Sequence, residues 1–151
     1  LSELLIVEPY LTGSHRLWAE GLMQHSRHKT RLLSLKGQFW KWRMHGGAVT
    51  LAKQFLSLPR PDAILCTDML DLTTFLALAR KQTYELPVVL YFHENQISYP
   101  WSLDDRDRKL NRDRHYGFIN YTSALAATQI WFNSEYHLTR FFSDLEAFLK
   151  H

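Results

Sequence analysis

Five short apolar runs, each followed by an amphipathic stretch, constrain this chain more than any other feature. The runs are ELLIVEP at 3–9, KTRLLSL at 29–35, DAILCTD at 62–68, PVVLYFH at 87–93 and QIWFNS at 129–134. Strand-length runs alternating with helix-length segments predict βα units, hence an α/β domain with a Rossmann-like parallel sheet flanked by helices. Helices are expected over 14–25, 48–58, 71–81, 115–128 and 135–151. In the first of them Leu17, Trp18, Leu22 and Met23 recur near helical spacing. PVVLYFH is continuously apolar, as a central strand buried on both faces must be. PRP at 59–61 stops the helix before it. The aromatic and basic stretch GQFWKWRMHGG at 37–47 reads as an insert ahead of the second helix.

With 151 residues the chain has the length of one domain and needs no metal or disulfide to hold a core. Its single cysteine, Cys66, lies inside a strand run, so it reads as a buried thiol in a reducing compartment and argues against redox chemistry. No stretch has the eighteen or more apolar residues of a membrane span, and LSELLIVEPY lacks a basic leader region; a soluble, cytoplasmic protein is expected. The net charge is only +3. The basic excess gathers at Arg27, Lys29, Arg31, Lys36, Lys41 and Arg43, a cluster that suits phosphate contact and equally suits a solvated edge.

In an open α/β sheet, ligands bind beyond the carboxyl ends of the strands. Each strand run here ends in polar groups: Glu8 and then TGSH, Thr67 with Asp68 and Asp71, HENQ at 93–96, and Asn133 with Ser134. A core has no use for these groups, and burying them unpaired is unfavourable. They are expected to line a common cleft. Gly13 allows backbone to approach a ligand, and Ser14 is either an N-cap or a ligand contact beside His15. A lone glycine is no G-x-G-x-x-G fingerprint, which argues against a nicotinamide dehydrogenase. His93 suits contact with a sugar hydroxyl or phosphate, or a base role, since imidazole titrates near neutrality. Followed by Glu94, it makes no H-E-x-x-H helix, and no metal is expected.

Asn95 and Gln96 offer uncharged contact, while Tyr99 and Pro100 shape the loop. Asp68 and Asp71, three apart, either cap a helix or belong to the site. Trp40 and Trp42, interleaved with Lys41 and Arg43, suit stacking on an unpaired base beside its backbone, or a flap over the core. Tyr116, Asn120 and Ser123 form a polar line on a helix and are expected to face the cleft, with Phe118, Leu125 and Ala126 in the core. His25, His28 and His137 read as surface or packing residues. The charge-rich SLDDRDRKLNRDR at 102–114 reads as an exposed loop or surface helix.

EPYLTGSHRLWAEGL, FWKWRMHGGA, DMLDLTTFLAL, YFHENQISYP, HYGFINYTSALAAT and FNSEYH, six blocks in one order from Glu8 to His137, together resemble the N-terminal domain of the tRNA-queuosine alpha-mannosyltransferase family. The resemblance implies the N-terminal half of a two-domain GT-B glycosyltransferase that works with retention. Mannose would pass from GDP-mannose to the cyclopentenediol of queuosine in the anticodon loop of tRNA-Asp. It further implies His93 as catalytic residue and a donor-side loop of Gly13, Ser14, His15 and Glu94. Trp40, Trp42 and Arg43 would lie toward the tRNA. Asp68, Asp71, Asn95, Gln96, Tyr116, Asn120, Asn133 and Ser134 would complete the acceptor side or cleft. Neither metal nor cofactor is implied beyond the nucleotide-sugar itself.

The chain departs from that pattern in stopping at His151, so residues 1–151 are expected to be an acceptor-side domain, inactive alone. The nucleotide-sugar domain would be the missing part of the same polypeptide. Two alternatives stay open: a GT-B enzyme for a small or lipid-linked acceptor, and a tRNA-binding domain without catalysis.

Overall fold

The computed structural model describes residues 2–110 and 114–150. Five strands form one all-parallel sheet: β1 (Glu3–Leu11), β2 (Lys29–Lys36), β3 (Ala63–Thr67), β4 (Val88–Phe92) and β5 (Gln129–Phe132), in the order β2-β1-β3-β4-β5. The connections are α1 (Gly13–His25), α2 (Trp40–Phe55), α3 (Leu72–Leu78) with the short α4 (Arg80–Thr83), and α5 (Arg106–Lys109) with α6 (Arg114–Ala126). Helix α7 (Glu135–Leu149) follows β5. This is the Rossmann-like α/β arrangement predicted from the alternating runs. All five runs became strands.

Alternation along each strand sends Leu5 and Val7, Ile64 and Cys66, and Val88, Leu90 and Phe92 into one core beneath α2, α3, α6 and α7. Helix α2 meets that core with Ala48, Leu51, Ala52 and Phe55, and the same i, i+3, i+4, i+7 stripe carries Met44 into a second cluster with Met69, Tyr116 and Ile119. Phe55 lies 5.5 Å from Phe75, and Phe92 stacks on Phe132 at 5.1 Å and packs on Phe141 at 5.0 Å, measured between ring centres. Fully burying each such ring stabilises the fold by about 1.5–3 kcal/mol. Cys66 sits fully buried in this layer, where burial raises its thiol pKa and leaves it unreactive.

Several local expectations are corrected. The aromatic and basic stretch is no insert: α2 begins at Trp40, after Phe39 in a left-handed conformation (φ 52°). Two helical residues subtend about 200°, so Trp40 extends the buried stripe while Trp42 points outward. Helix α1 starts at Gly13 with Thr12 as its N-cap, not Ser14, and Gly13 takes φ +50°, which glycine adopts without strain. On α6 the inward face carries Tyr116, Ile119, Asn120 and Ser123, leaving Phe118 51% and Leu125 68% exposed instead of in the core. Leu17 likewise lies outside the packed face of α1, 73% exposed. The charge-rich segment holds α5, N-capped by Asp105; its residues 111–113 lie outside the described residues.

Candidate functional site

The strand order reverses direction around β1, whose neighbours β2 and β3 lead the chain to opposite sides. Such a switch opens a crevice past the strand ends, and there the sequence places Glu8, His15, Asp68 and His93. Glu8 and Asp68 are fully buried and His15 nearly so. Glu8 accepts from the Tyr10 N–H at 2.8 Å with one carboxylate oxygen and meets His15 Nδ1 at 2.9 Å with the other. The His93 main chain is held at both ends: its N–H donates to Asp68 Oδ1 at 2.8 Å, and its carbonyl accepts from Asn133 Nδ2 at 2.8 Å. Its ring lies 4.1 Å from that of His15 and presents edge-on to Trp18 and Tyr91, each 4.9 Å away between centroids. His93 Nε2 is buried without a hydrogen-bond partner. A buried nitrogen left open in this way has room in its bonding for a ligand atom.

The charges are arranged unequally. Burial lowers the pKa of His15, yet the hydrogen bond and charge of Glu8, with the charges of Asp68 and Glu94, outweigh it and raise the imidazole above its ordinary value. Burial and the neighbouring His15 charge push His93 down to about 3, so at neutral pH it is an uncharged ring. Burial pushes Asp68 up to about 8, against the opposing effects of His15 and of the His93 N–H. A carboxyl whose folded pKa exceeds its unfolded one contributes stability that is complete below the unfolded value near 3.8 and lost as pH rises through about 8. Asp68→Asn keeps an acceptor for the His93 N–H and cannot ionise. The stability advantage of this variant over wild type is therefore expected to grow between pH 5 and pH 8 in thermal unfolding; parallel wild-type and variant curves would refute this account.

Glu8, His15 and His93 also bring three potential metal-ligand atoms within 4.8 Å of one another. The Glu8–His15 edge is a hydrogen bond, so a cation there would have to displace the Nδ1 proton. Gly13 and Ser14 are exposed at the start of α1, on the same turn as His15.

Many of the other predicted residues are committed to holding the loops. Asp71 caps α3, accepting from the Thr74 N–H at 3.0 Å and from the hydroxyls of Thr73 and Thr74. It shares no helix face with Asp68. Asn95 Oδ1 accepts from the N–H groups of Ile97 and Ser98, while its amide meets His137 Nε2 at 2.7 Å. Asn120 Oδ1 accepts from the Gln96 N–H at 2.7 Å and its Nδ2 donates to the Asp68 carbonyl at 2.9 Å. Ser123 accepts from the Leu72 N–H and donates to the Leu70 carbonyl. The polar line on α6 thus faces protein instead of an open cleft, because the loops after β3 and β4 leave backbone polar groups there to be satisfied. Ser134 caps α7 through the His137 N–H, and Gln96 is buried in the loop after β4.

Tyr116 is buried against Trp40 and Trp101, with centroids 5.0 and 5.9 Å away. Trp42 is 70% exposed, and Arg43 Nε donates to the Lys36 carbonyl. Part of the basic cluster is bound internally: Lys29 and Arg31 pair with Glu3, and Lys41 pairs with Asp105 and Asp107 at 2.7 and 2.6 Å.

Two contributors escaped the sequence reading. Trp18 stacks on Tyr91 at 4.6 Å to make the wall behind His93; its position three residues after His15 puts both on one helix face, which was the available signal. His137, expected as a surface or packing residue, is buried and links Asn95 to Asn133 through its two ring nitrogens. Glu8, expected at the cleft as a strand-end polar group, lies there, and the partner that a buried carboxylate needs is His15.

Residues 3–151 match the family model described as tRNA-queuosine alpha-mannosyltransferase N-terminal. The chain is 32% identical over 150 residues to the tRNA-queuosine alpha-mannosyltransferase of Drosophila melanogaster, an alignment covering 97% of this chain and 37% of that relative. The chain therefore spans little more than a third of the length of the curated relative it matches.

Proposed function

Since the chain belongs to the tRNA-queuosine alpha-mannosyltransferase family through its N-terminal domain, we propose that it is the acceptor-side domain of a cytoplasmic GT-B glycosyltransferase. In this reading the whole enzyme moves mannose from GDP-mannose to queuosine in the anticodon loop of tRNA-Asp, with retention of configuration. The nucleotide-sugar domain belongs to the same polypeptide, and residues 1–151 alone do not turn over.

The observation that carries the site is His93 at the strand-order switch, with its main chain clamped and Nε2 buried without a hydrogen-bond partner. Its ring is neutral at working pH, because the His15 charge and burial both oppose protonation. Such a ring holds one hydroxyl in line and polarises it; it is too weak a base to carry the proton away. Attack from the leaving-group face lets the departing diphosphate accept the acceptor's proton, while fixed donors stabilise the charge that develops. His15, whose imidazole Glu8 helps hold above its ordinary pKa, lies on the same turn as the exposed Gly13 and Ser14, where a donor's phosphates would meet backbone N–H groups.

The inward packing of Trp40 and the internal pairing of Lys41 favour a competing reading, a GT-B enzyme for a small or lipid-linked acceptor. Exposed Trp42 favours tRNA. Full-length protein incubated with GDP-mannose and queuosine-containing tRNA-Asp is expected to yield a nucleoside heavier by one hexose in mass spectrometry. Absence of that product from folded protein would reject the queuosine acceptor. Binding of tRNA that persists without transfer would favour the non-catalytic reading.

A further inference from the structure

The carboxyl edge of the sheet carries two clefts divided by the loop after β4. One, of about 380 Å³, opens toward α7 and is bordered by His93, Asn133, Tyr136 and Arg140. The other, of about 280 Å³, opens toward α2 between Tyr10, Trp40, Met69 and Trp101, with Gln96 and Asp105 at its polar margin. Glu94 borders both. Among the described residues its carboxylate has neither a hydrogen bond nor a salt bridge, unlike Glu8 and Asp105, which are fully engaged. Burial raises its pKa, with His15 opposing. The second cleft therefore presents an aromatic wall and, at Glu94, a half-buried carboxylate without a protein partner among the described residues.

That chemistry selects its occupant. Trp40 and Trp101 pack on each other with ring centres 5.8 Å apart and share the Lys41 ammonium at 5.5 and 5.3 Å, so they line the cleft as one apolar wall against which a ring can lie. Asp105 is already paired with Lys41, which leaves Glu94 as the carboxylate facing an occupant, and a carboxylate without a cation beside it does not suit the phosphates of a donor. A carboxylate accepts from two adjacent hydroxyls at once, as an acidic residue does for ribose in dinucleotide-binding folds. We propose that this aromatic-walled cleft is the acceptor subsite and that Glu94 accepts hydrogen bonds from two neighbouring hydroxyls on the acceptor's ring. The inference rests on the acceptor reading above and moves Glu94 from the donor-side loop to the acceptor. Glu94 directly follows His93, so a hydroxyl held there lies beside the cleft that His93 borders.

The test is steady-state transfer by the full-length enzyme with GDP-mannose and queuosine-containing tRNA-Asp. Losing hydrogen bonds to a charged group is expected to raise the acceptor KM of Glu94→Gln by about 10- to 100-fold, with the donor KM unmoved. The free modified base, carrying its cyclopentenediol, should inhibit wild type and lose its hold on Glu94→Gln by a similar factor. The corresponding base without the diol should inhibit both proteins equally. Trp101→Leu should raise the acceptor KM as well. An unchanged acceptor KM in Glu94→Gln, or a rise confined to the donor KM, overturns the assignment while the enzyme reading stands. No transfer by wild type overturns both.

Discussion

In the full-length protein, His93→Ala is expected to lower hexose transfer by about 10²- to 10³-fold, the usual cost of removing one positioned polar group from a transfer site. The effect should fall on kcat more than on either KM, because His93 is held by its backbone and its ring makes no hydrogen bond to protein among the described residues. The pH profile gives a sharper check. A His93 with its pKa depressed to about 3 stays neutral across pH 5–8, so no break in wild-type kcat near pH 6.5 should disappear in His93→Gln. A break near 6.5 that vanishes in that variant would mean that His93 titrates normally and works as a base. Stability follows the same sign: a histidine whose folded pKa is depressed contributes fully above 6.5, and that contribution fades as pH falls toward 3.

The second large effect concerns the frame. Asn120→Ala is expected to destabilise the domain by about 3 kcal/mol, since the Gln96 N–H and the Asp68 carbonyl both lose their partner in a fully buried place. For a chain of this size that corresponds to a melting temperature lower by roughly 6–12 °C. Phe118→Ala, on the outer face of the same helix, should cost no more than about 0.5 kcal/mol. Equal melting shifts in the two variants, measured by circular dichroism, would show that Asn120 does not bind the loops after β3 and β4 to α6. Because those loops carry Asp68, Glu94 and Gln96, the variant should also lose transfer activity faster on warming than it loses it at low temperature.

Legibility in the sequence divided along physical lines. Strands announce themselves by local apolar runs, so all five were found, and Glu8, Asp68, His93 and Asn133 could be placed at strand ends without coordinates. Helix phase is also local: had α2 been read from Trp40, the spacing from Trp40 to Met44 and Ala48 would have turned Trp40 inward and Trp42 outward. Polar residues are less readable. Asn95, Asn120, Ser123 and Asp71 look like ligand groups in one dimension, yet each pairs with a backbone group or side chain whose position depends on how loops fold. Whether a polar group is spent or free is a property of its three-dimensional neighbours.

The sequence by itself therefore determined the α/β class, the parallel sheet and the end of the sheet where the polar strand-end residues gather, because periodicity and strand-end polarity are written in neighbouring residues. Only the tertiary structure decided that β1 stands between β2 and β3, which sets Glu8 and His15 against Asp68 and His93. It also decided that Asn120 belongs to the frame while Glu94 remains open, since burial and pairing arise from contacts between segments many residues apart.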